Sequence, residues 1–296
     1  MGSDSVRCVI VHYRTPFETV RSAVAVAQTE PEAEIVVVDN ASGDDIGERL
    51  AAEVPRARLL REPQNRGYGA ACNRGARGSP RPFLLFLNSD AFVRPGAIPV
   101  LQAALEADPS AAIVGPRLEY PDGRLQLSIQ RLPTPWRIFC ESSGLAALSG
   151  GRGFLRGHTK TRENHERPRA VEALKGAALL FRRTAFEEAG GFDEDFFLYA
   201  EETDLMTRLE RRGRRILYEP RAVVVHTGGV SAGDALFGEL HASLGRYVRK
   251  FHGPAASRFA RAAMALGAAG RYGAALLTPG EPGRRRRIRY RAALTR

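Results

Sequence analysis

The stretch Glu34-Ile35-Val36-Val37-Val38-Asp39-Asn40-Ala41-Ser42-Gly43 changes from apolar to polar within one residue. The run Ile35 to Val38 is unbroken and apolar, which is typical of a strand buried on both faces, as in a parallel sheet, and the predicted strand is Glu34–Val38. Such sheets bind ligands at the carboxyl ends of their strands, where Asp39 lies. Its carboxylate suits the ring N–H of a pyrimidine base or a ribose hydroxyl, and it equally suits a local Asx turn.

Apolar runs and helix-like stretches alternate on both sides of this strand. This order predicts an α/β fold in which a mostly parallel sheet is flanked by helices. The other expected strands of this part are Val6–Val11, Ala57–Leu60, Phe83–Leu87 and Ala111–Val114, and the expected helices are Phe17–Ala27, Ile46–Val54, Tyr68–Ala76 and Ile98–Ala107.

The rhythm changes in the second half of the chain. Pro121-Asp122-Gly123 predicts a hairpin turn, and residues 130–170 are irregular and basic, as in a loop that acts as a substrate lid. The later expected strands are 171–181, 216–218 and 222–225, and the later expected helices are 204–212, 235–251 and 258–269.

Composition narrows the class of protein. With 44% apolar residues, a chain of 296 residues can bury a large core, which excludes global disorder. Three widely spaced cysteines indicate neither a disulfide framework nor a zinc site, and they fit a reducing cytoplasm. The longest apolar stretch, Ala262 to Leu277, is interrupted by Arg271 and by glycines, so it predicts no membrane span. We therefore expect a cytoplasmic protein.

The net charge of +11 is concentrated at one end of the sequence. Residues 284–296 hold seven arginines and no acid, which leaves +4 on the other 283 residues. This tail suits anionic lipid head groups or nucleic acid, and a disordered, solvated tail is the alternative. The expected organisation is a main domain over 1–252, a helical extension over 253–283 and the Arg-rich tail over 284–296.

Residues 190–205 gather six carboxylates around an aromatic cluster and lead into a predicted helix. Glu201, Glu202 and Asp204 have a structural interpretation, because acidic side chains near a helix start favour the helix dipole. They also have a functional one, because a carboxylate there can act as a general base on an attacking hydroxyl. The flanking aromatic rings would then form a platform on which a sugar stacks.

Asn88-Ser89-Asp90 directly follows a buried strand, and His226 ends a later β-branched run. A hard divalent cation takes oxygen ligands, and a diphosphate needs such a cation to neutralise its charge. A neutral imidazole at a strand end can be a further ligand. A plain turn at Asp90 and an ordinary surface or core histidine at 226 are the alternatives.

The stretch Asn65-Arg66-Gly67-Tyr68-Gly69-Ala70-Ala71-Cys72-Asn73 resembles a dinucleotide fingerprint only in part. Cys72 stands where a third glycine is required, and the stretch follows the third strand instead of the first. This excludes NAD binding of that kind, although small residues here still allow the backbone to approach a ligand closely.

The order of these features resembles the inverting family 2 glycosyltransferases of the GT-A (Rossmann-like) fold. The most similar subgroup is the rhamnosyltransferase-like enzymes that build bacterial cell-surface polysaccharide. The resemblance covers roughly residues 6–252 and rests on several stretches of sequence. These are residues 9–13, 36–42, 65–69 with Asn73, 87–90, 190–205 and 226–229.

The resemblance implies a role for residues in each part of the site. The implied nucleotide and donor contacts are Tyr13, Asp39, Asn65, Gly67, Asn73, Ser89, Gly176 and Ala177. The implied ligands of Mg²⁺ or Mn²⁺ are Asp90, His226 and Asn88, and the implied acceptor contacts are Phe197, Tyr199 and Glu201. Glu202 falls on the general base, where the family usually has the shorter Asp.

The implied reaction is a metal-dependent, inverting transfer of a sugar from a nucleoside diphosphate, such as dTDP-rhamnose or a UDP-sugar. The acceptor would be a hydroxyl of a glycan or of a polyprenyl-linked sugar, with peripheral membrane contact through the tail and no nucleic-acid partner. Two alternatives stay open at this point. A sugar nucleotidyltransferase needs a Gly-rich basic loop after its first strand, which His12-Tyr13-Arg14-Thr15 is not. A non-catalytic module that binds a glycan or nucleic acid through the tail is the other.

Overall fold

The computed structural model describes residues 5–150, 153–159, 164–228 and 236–294. The strands within these residues are β1 (Val6–His12), β2 (Glu34–Asp39), β3 (Arg58–Arg61), β4 (Phe83–Asn88), β5 (Ala91–Val93), β6 (Ala111–Glu119), β7 (Leu125–Gln126), β8 (Ile129–Gln130), β9 (Arg169–Val171), β10 (Ala173–Leu174), β11 (Ala178–Arg182) and β12 (Arg215–His226). The helices are α1 (Pro16–Thr29), α2 (Ile46–Glu53), α3 (Tyr68–Ala76), α4 (Ala97–Ala107), α5 (Pro135–Ser143), α6 (Leu145–Leu148), α7 (Arg183–Glu188), α8 (Glu201–Glu210), α9 (Phe237–Leu276) and α10 (Gly280–Leu294), with a 3₁₀ turn at Gly153–Leu155.

The main sheet has the strand order β3-β2-β1-β4-β11-β6-β12-β5. Its first four strands are parallel, β11 is antiparallel to both of its neighbours, and β12 is parallel to β6. All seven residues of β1 are buried, as expected for a central parallel strand that is covered on both faces. The predicted α/β architecture is confirmed, and its parallel character is strongest in the N-terminal half.

Strand register aligns the polar ends of three neighbouring strands. His12 of β1 pairs with Asp39 of β2, and Val11 pairs with Asn88 of β4. Helix α3 can lie close behind these strands because it carries Gly75. A Cβ at this position would clash with Val9 Cγ1. The strand ends therefore form one edge on which polar side chains are held in a fixed order.

The second half of the chain matches its prediction less closely. The hairpin is confirmed, since β6 and β7 pair across Leu118 and Gln126. The region 130–170, expected to be irregular, contains two helices, of which α5 begins with an N-cap: Thr134 accepts a hydrogen bond from the Arg137 N–H. The two strands expected at 216–218 and 222–225 form one strand, with a bulge between Glu219 and Val223.

The chain divides into two units. Unit 1 comprises Met1–Ile129, Asn164–Asp195 and Glu201–Ser231, and unit 2 comprises Gln130–Glu163, Phe196–Ala200 and Ala232–Arg296. Unit 1 holds 25 Lys and Arg against 28 Asp and Glu, a net charge of −3, whereas unit 2 holds 19 against 5, a net charge of +14. The excess positive charge thus belongs to unit 2 as a whole.

Unit 2 has its own apolar core, which contains Phe196, Tyr247 and Met264. Helix α9 continues through the predicted boundary at 252, but its path breaks at Gly253 (φ 86°, ψ 172°), directly before Pro254. The Arg-rich segment is helical and forms most of α10. Among the helices of the described residues, none contains a stretch long and apolar enough to cross a membrane.

Candidate active site

The end of β2 begins a network of hydrogen bonds. Asp39 is buried, and its Oδ1 accepts a hydrogen bond from the Ser42 N–H at 2.9 Å, so the Asx-type turn left open by the sequence is present. Asn40 donates from Nδ2 to Asn65 Oδ1 at 2.8 Å and to the Gly67 carbonyl at 3.2 Å. Asn40 thereby joins the β2 edge to the loop that precedes α3, a role that the sequence did not reveal.

The end of β1 is fixed in a similar way. The buried His12 ring contacts Thr19 Oγ1 through Nδ1 at 2.8 Å and both Asp44 carboxylate oxygens through Nε2 at 3.0 Å. Thr15 donates to Ser89 Oγ at 3.1 Å, which ties the loop after β1 to the strand end that carries Asp90. The predicted contact Tyr13 lies in this loop, with the guanidinium of Arg14 5.1 Å from its ring centroid.

Asp90 and His226 are brought together, as predicted. His226 Nε2 lies 3.3 Å from Asp90 Oδ1, and the other carboxylate oxygen of Asp90 accepts from the Thr227 hydroxyl and the Gly228 N–H, each at 3.1 Å. His226 Nδ1 contacts Gln126 Oε1 at 2.7 Å. Burial raises the pKa of Asp90, but the hydrogen bond and charge of His226 and the bond from Thr227 outweigh burial and leave that pKa below its usual range.

These two side chains fit part of a divalent-cation site. When His226 is neutral and its Nδ1–H donates to Gln126 Oε1, Nε2 presents its lone pair beside Asp90 Oδ1, and two ligand atoms 3.3 Å apart can share one ion. The described residues contain no group of three or more His, Cys, Asp or Glu that could hold a metal. Substrate phosphates and water would have to complete such a site, as is usual for Mg²⁺. The third predicted ligand, Asn88, ends β4 and donates its backbone N–H to the Ala177 carbonyl at 2.9 Å.

The acidic segment is anchored to α3 through Asn73. Its side chain donates to the Phe192 carbonyl at 2.8 Å and accepts from the Phe192 N–H at 2.9 Å. Gly191 has φ +71°, and a Cβ there would lie 2.7 Å from Asn73 Oδ1, so both its backbone conformation and this contact require glycine. Asn73, predicted as a donor contact, therefore uses both atoms of its amide to position the acidic segment.

Glu201 and Glu202 begin α8 and differ in their surroundings. Glu201 is only 4% exposed, and burial together with the negative charge of Glu202 raises its pKa well above the usual range. Burial also raises the pKa of Glu202, but the backbone N–H groups of Glu202, Thr203 and Gly176 and the charge of Lys175 oppose that shift. The pKa of both glutamates is therefore raised, and Glu202 is the member of the pair on which the positive charge of Lys175 acts.

Each glutamate also has an unpaired oxygen. Within the described residues, neither Glu201 Oε2 nor Glu202 Oε2 has a hydrogen-bond partner, although both atoms are buried. Leaving a buried polar atom unpaired costs about 1–3 kcal/mol. Such atoms are therefore rare in folded proteins, and a functional role is one explanation for them. Asp204, the next acid along α8, forms an ion pair with Arg208 at 2.7 Å.

Two features around the pair were not predicted. Lys175 interacts electrostatically with both Asp90 and Glu202, and burial lowers its pKa. Gly176 approaches Glu202 closely, since a Cβ at Gly176 would lie 3.3 Å from the Glu202 carboxyl carbon. Gly176 was expected to contact the donor sugar, whereas Lys175 carried no signal beyond its place next to Gly176.

The predicted acceptor contacts Phe197 and Tyr199 belong to unit 2. Phe197 is 39% exposed, and Tyr199 and Ala200 both have positive φ, 68° and 65°. Such left-handed backbone at residues other than glycine costs of order 1–3 kcal/mol each and is common at functional sites. The strained pair directly precedes Glu201 along the chain.

Comparison with known proteins gives the same family as the resemblance in the sequence. The family model described as glycosyl transferase family 2 matches residues 8–190. The N-acetylglucosaminyl-diphospho-decaprenol L-rhamnosyltransferase of Mycobacterium tuberculosis (strain H37Rv) is 34% identical over 221 residues, which are 69% of this chain and 70% of that protein. The pre-mycofactocin glycosyltransferase of the same strain is 30% identical over 65% of this chain and 37% of its own length.

A solved structure supports the fold. The mannosyltransferase PcManGT of Pyrobaculum calidifontis, in complex with GDP-Man and Mn²⁺, superposes with a TM-score of 0.59 at 18% identity, over 98% of this chain and 85% of that chain. At this identity the similarity shows the fold alone, which is GT-A. Because the family model spans more than half of the sequence, the chain belongs to glycosyl transferase family 2 and is a rhamnosyltransferase-like glycosyltransferase.

Proposed function

We propose that this glycosyltransferase moves a deoxyhexose, of the L-rhamnose type, from a nucleoside diphosphate to a hydroxyl of a polyprenyl-linked sugar, with inversion at the anomeric carbon. The name and similarity of the mycobacterial rhamnosyltransferase support the sugar and the class of acceptor. The reaction would contribute to cell-wall or other surface polysaccharide, at the cytoplasmic face of a membrane.

The nucleotide would lie along the polar ends of β1, β2 and β4. Asp39 Oδ1 holds the turn to Ser42, which leaves Oδ2 for a base N–H or a ribose hydroxyl. Tyr13 would lie against the base, and the loop held by Asn40 would bring the backbone of Gly67 close to the donor. Ser89, tied to Thr15, would border the phosphates.

Asp90 and His226 would hold Mg²⁺ or Mn²⁺ together with the diphosphate. A cation bound there supplies positive charge that stabilises the leaving nucleoside diphosphate. Lys175 would add a positive charge near both Asp90 and Glu202, since it interacts electrostatically with each of them.

Glu202 would remove the proton from the acceptor hydroxyl as that hydroxyl attacks. One observation carries this assignment: the carboxylate is held by backbone N–H groups, yet its Oε2 is unpaired and buried. A fixed base with one unoccupied oxygen can accept a proton without first losing another partner. Glu201, whose pKa burial and the negative charge of Glu202 raise, would keep its proton and so spare Glu202 a second negative charge beside it.

The test is a transfer assay with dTDP-rhamnose, UDP-glucose and GDP-mannose, each with a short-chain polyprenyl-diphospho-N-acetylglucosamine acceptor. We expect product only with the dTDP donor, a β-linked or α-linked product whose anomeric configuration is opposite to that of the donor, and loss of product with EDTA. Transfer from another donor would correct the sugar, and retention of configuration would contradict the role of Glu202.

A further inference from the structure

Unit 2 carries a group of aromatic rings at its surface. Trp136 stacks on Phe139 with a centroid distance of 5.3 Å, and it packs against Phe154 at 4.8 Å. Phe139 in turn contacts Phe259 of α9 at 5.8 Å. Three of the rings are substantially exposed: Trp136 at 36%, Phe154 at 76% and Phe259 at 46%. Exposed apolar clusters of this kind mark contact surfaces.

The cluster continues as an apolar stripe along α9. Phe259 and Leu266 are 7 residues apart, close to two helical turns, so they lie on one side of the helix. Leu277 caps the C-terminal end of α9, 11 residues or about three turns after Leu266, and so continues the same side. Leu266 is 75% exposed and Leu277 is 87% exposed. The residues between them on this side are small, namely Ala262, Gly270 and Gly273. The opposite side of α9, with Ala260 and Met264, packs into the core of unit 2.

Exposed arginines occur on α9 itself and on α10, whose Arg287 donates to the Ala275 carbonyl of α9. The exposed Arg258 directly precedes Phe259, and α10 presents five further exposed arginines, which are Arg284, Arg285, Arg286, Arg289 and Arg291. The whole unit carries +14. An apolar stripe with basic residues beside it is the pattern of a helix that lies in the interface of an anionic bilayer.

We propose that unit 2 docks on the surface of an anionic lipid bilayer through Trp136, Phe154, Phe259, Leu266 and Leu277, here termed the docking face. Tryptophan and phenylalanine suit the boundary between head groups and acyl chains, where an aromatic ring can be buried close to polar groups. The arginines of α10 add attraction to the head groups, whereas the docking face inserts. The inference deepens the proposed function, because a polyprenyl-linked acceptor lies in a membrane, and it rests on that proposal.

Charge and apolarity together favour a bilayer over two other partners. A nucleic acid would neutralise the arginines but leave the apolar stripe in water. A second copy of the chain would cover the stripe but bring two units of +14 together, which is unfavourable at physiological ionic strength. An anionic bilayer satisfies both features at once.

The chain contains a single tryptophan, Trp136, so its own fluorescence reports on the docking face. The full chain is mixed with vesicles of phosphatidylcholine alone, or with 3:7 phosphatidylglycerol to phosphatidylcholine as about one-third anionic lipid, without any sugar donor. We expect a shift of Trp136 emission to shorter wavelength and quenching by brominated acyl chains with the anionic vesicles, and a much weaker response with the neutral ones.

Three variants, each of which adds one glutamate, separate the docking face from the net charge of the chain. Phe259→Glu and Leu266→Glu should each weaken vesicle binding about tenfold or more, because each replaces an inserting apolar group by a charge. Phe17→Glu is the matched control, since Phe17 is 63% exposed but lies in unit 1, and it should bind like the wild type. Circular dichroism of each variant verifies that it is folded.

The inference is overturned if Trp136 emission does not respond to anionic vesicles, or if Phe259→Glu and Leu266→Glu both bind vesicles as well as the wild type does. It is also overturned if light scattering shows a dimer that Phe259→Glu dissociates while vesicles have no effect. Because no donor is present, vesicle binding by a chain that fails the rhamnosyl-transfer assay would retain the docking face and reject only the proposed function.

Discussion

The ends of β1, β2 and β4, here termed the nucleotide edge after the role proposed for them, and the acidic pair Glu201 and Glu202 differ in how their polar groups are hydrogen-bonded. At the nucleotide edge, Asn40 uses its side-chain amide to join two loops, and Asp39 bonds the backbone of its own turn. At the start of α8, Glu201 and Glu202 stand side by side with one buried, unpaired oxygen each. Satisfied hydrogen bonds fix a shape for recognition, whereas unpaired carboxylates retain affinity for a proton.

The largest expected effect tests the acidic pair. Glu202→Gln keeps the shape and removes the proton acceptor, so kcat should fall by about 10²–10⁴-fold while donor affinity stays nearly constant. Steady-state kinetics with donor titration separates the two parameters. Glu202→Asp, the family's usual residue, should retain measurable activity. If Glu201→Gln is the inactive variant instead, the roles of the two glutamates are exchanged.

The next largest effect is expected for Asp90, the proposed metal ligand. Asp90→Asn should lower metal-dependent transfer by about 10²–10³-fold, because the cation that offsets diphosphate charge loses an anionic ligand. Thr227 and Gly228 can still donate to the remaining carbonyl oxygen, so the thermal midpoint should change little. Full activity of the wild-type protein in EDTA would contradict the metal role of Asp90.

At the nucleotide edge the expected effect is on binding. Asp39→Ala should weaken donor affinity by roughly 1–3 kcal/mol, as for loss of a buried hydrogen bond. Asp39→Asn is the matched control for the turn, because its amide oxygen can still accept from the Ser42 N–H. Calorimetry that finds equal donor affinity for all three proteins would remove Asp39 from the site.

The smallest effect on turnover, and a clear one on stability, is expected for Glu201. Its pKa lies above the ordinary 4.5 in the folded state, so the folded protein binds more protons than the unfolded chain as the pH rises from about 4.5. The free energy of unfolding should therefore fall with rising pH in that window, by up to about 1.4 kcal/mol per pH unit.

Glu201→Gln should remove that part of the pH dependence and change kcat less than Glu202→Gln does. Urea denaturation at several pH values measures the slope for both proteins. Identical slopes would mean that Glu201 does not hold its proton in the folded state, and the contrast between the two glutamates would then lose its electrostatic basis.

The local patterns predicted the N-terminal half of the fold well. Helix α3 has the predicted bounds, and β1, β2 and β4 each extend one residue beyond their predicted C-terminal end. These elements were predictable because the apolar run of a buried strand, or the pattern of a short helix, lies in one continuous stretch of sequence. The sequence also paired Asp90 with His226 through the family resemblance, and the structure confirms that the two are neighbours.

The predictions failed where irregular backbone or contacts between distant residues decide the structure. Two strands were predicted at 216–218 and 222–225, but a bulge stabilised by the bonds of Arg221 to Glu219 allows β12 to continue through both. The roles of Asn40 and Lys175 follow from groups that are far away in sequence, so no local pattern indicates them. Residues 130–170 lacked a clear period, and α5 was identifiable only by its Thr134-Pro135 start.

The short link between β4 and β5 has a consequence for folding. Asn88 ends a strand in the middle of the sheet, and Ala91 begins an edge strand that pairs with β12, so Asp90 meets Thr227 across 137 residues. Closing a loop of that length costs about 4 kcal/mol of chain entropy, which favours late formation. We expect a chain truncated before residue 226 to form the ends of β1, β2 and β4 but to lack the contacts of Asp90 with His226 and Thr227, on which the proposed binding of the diphosphate depends.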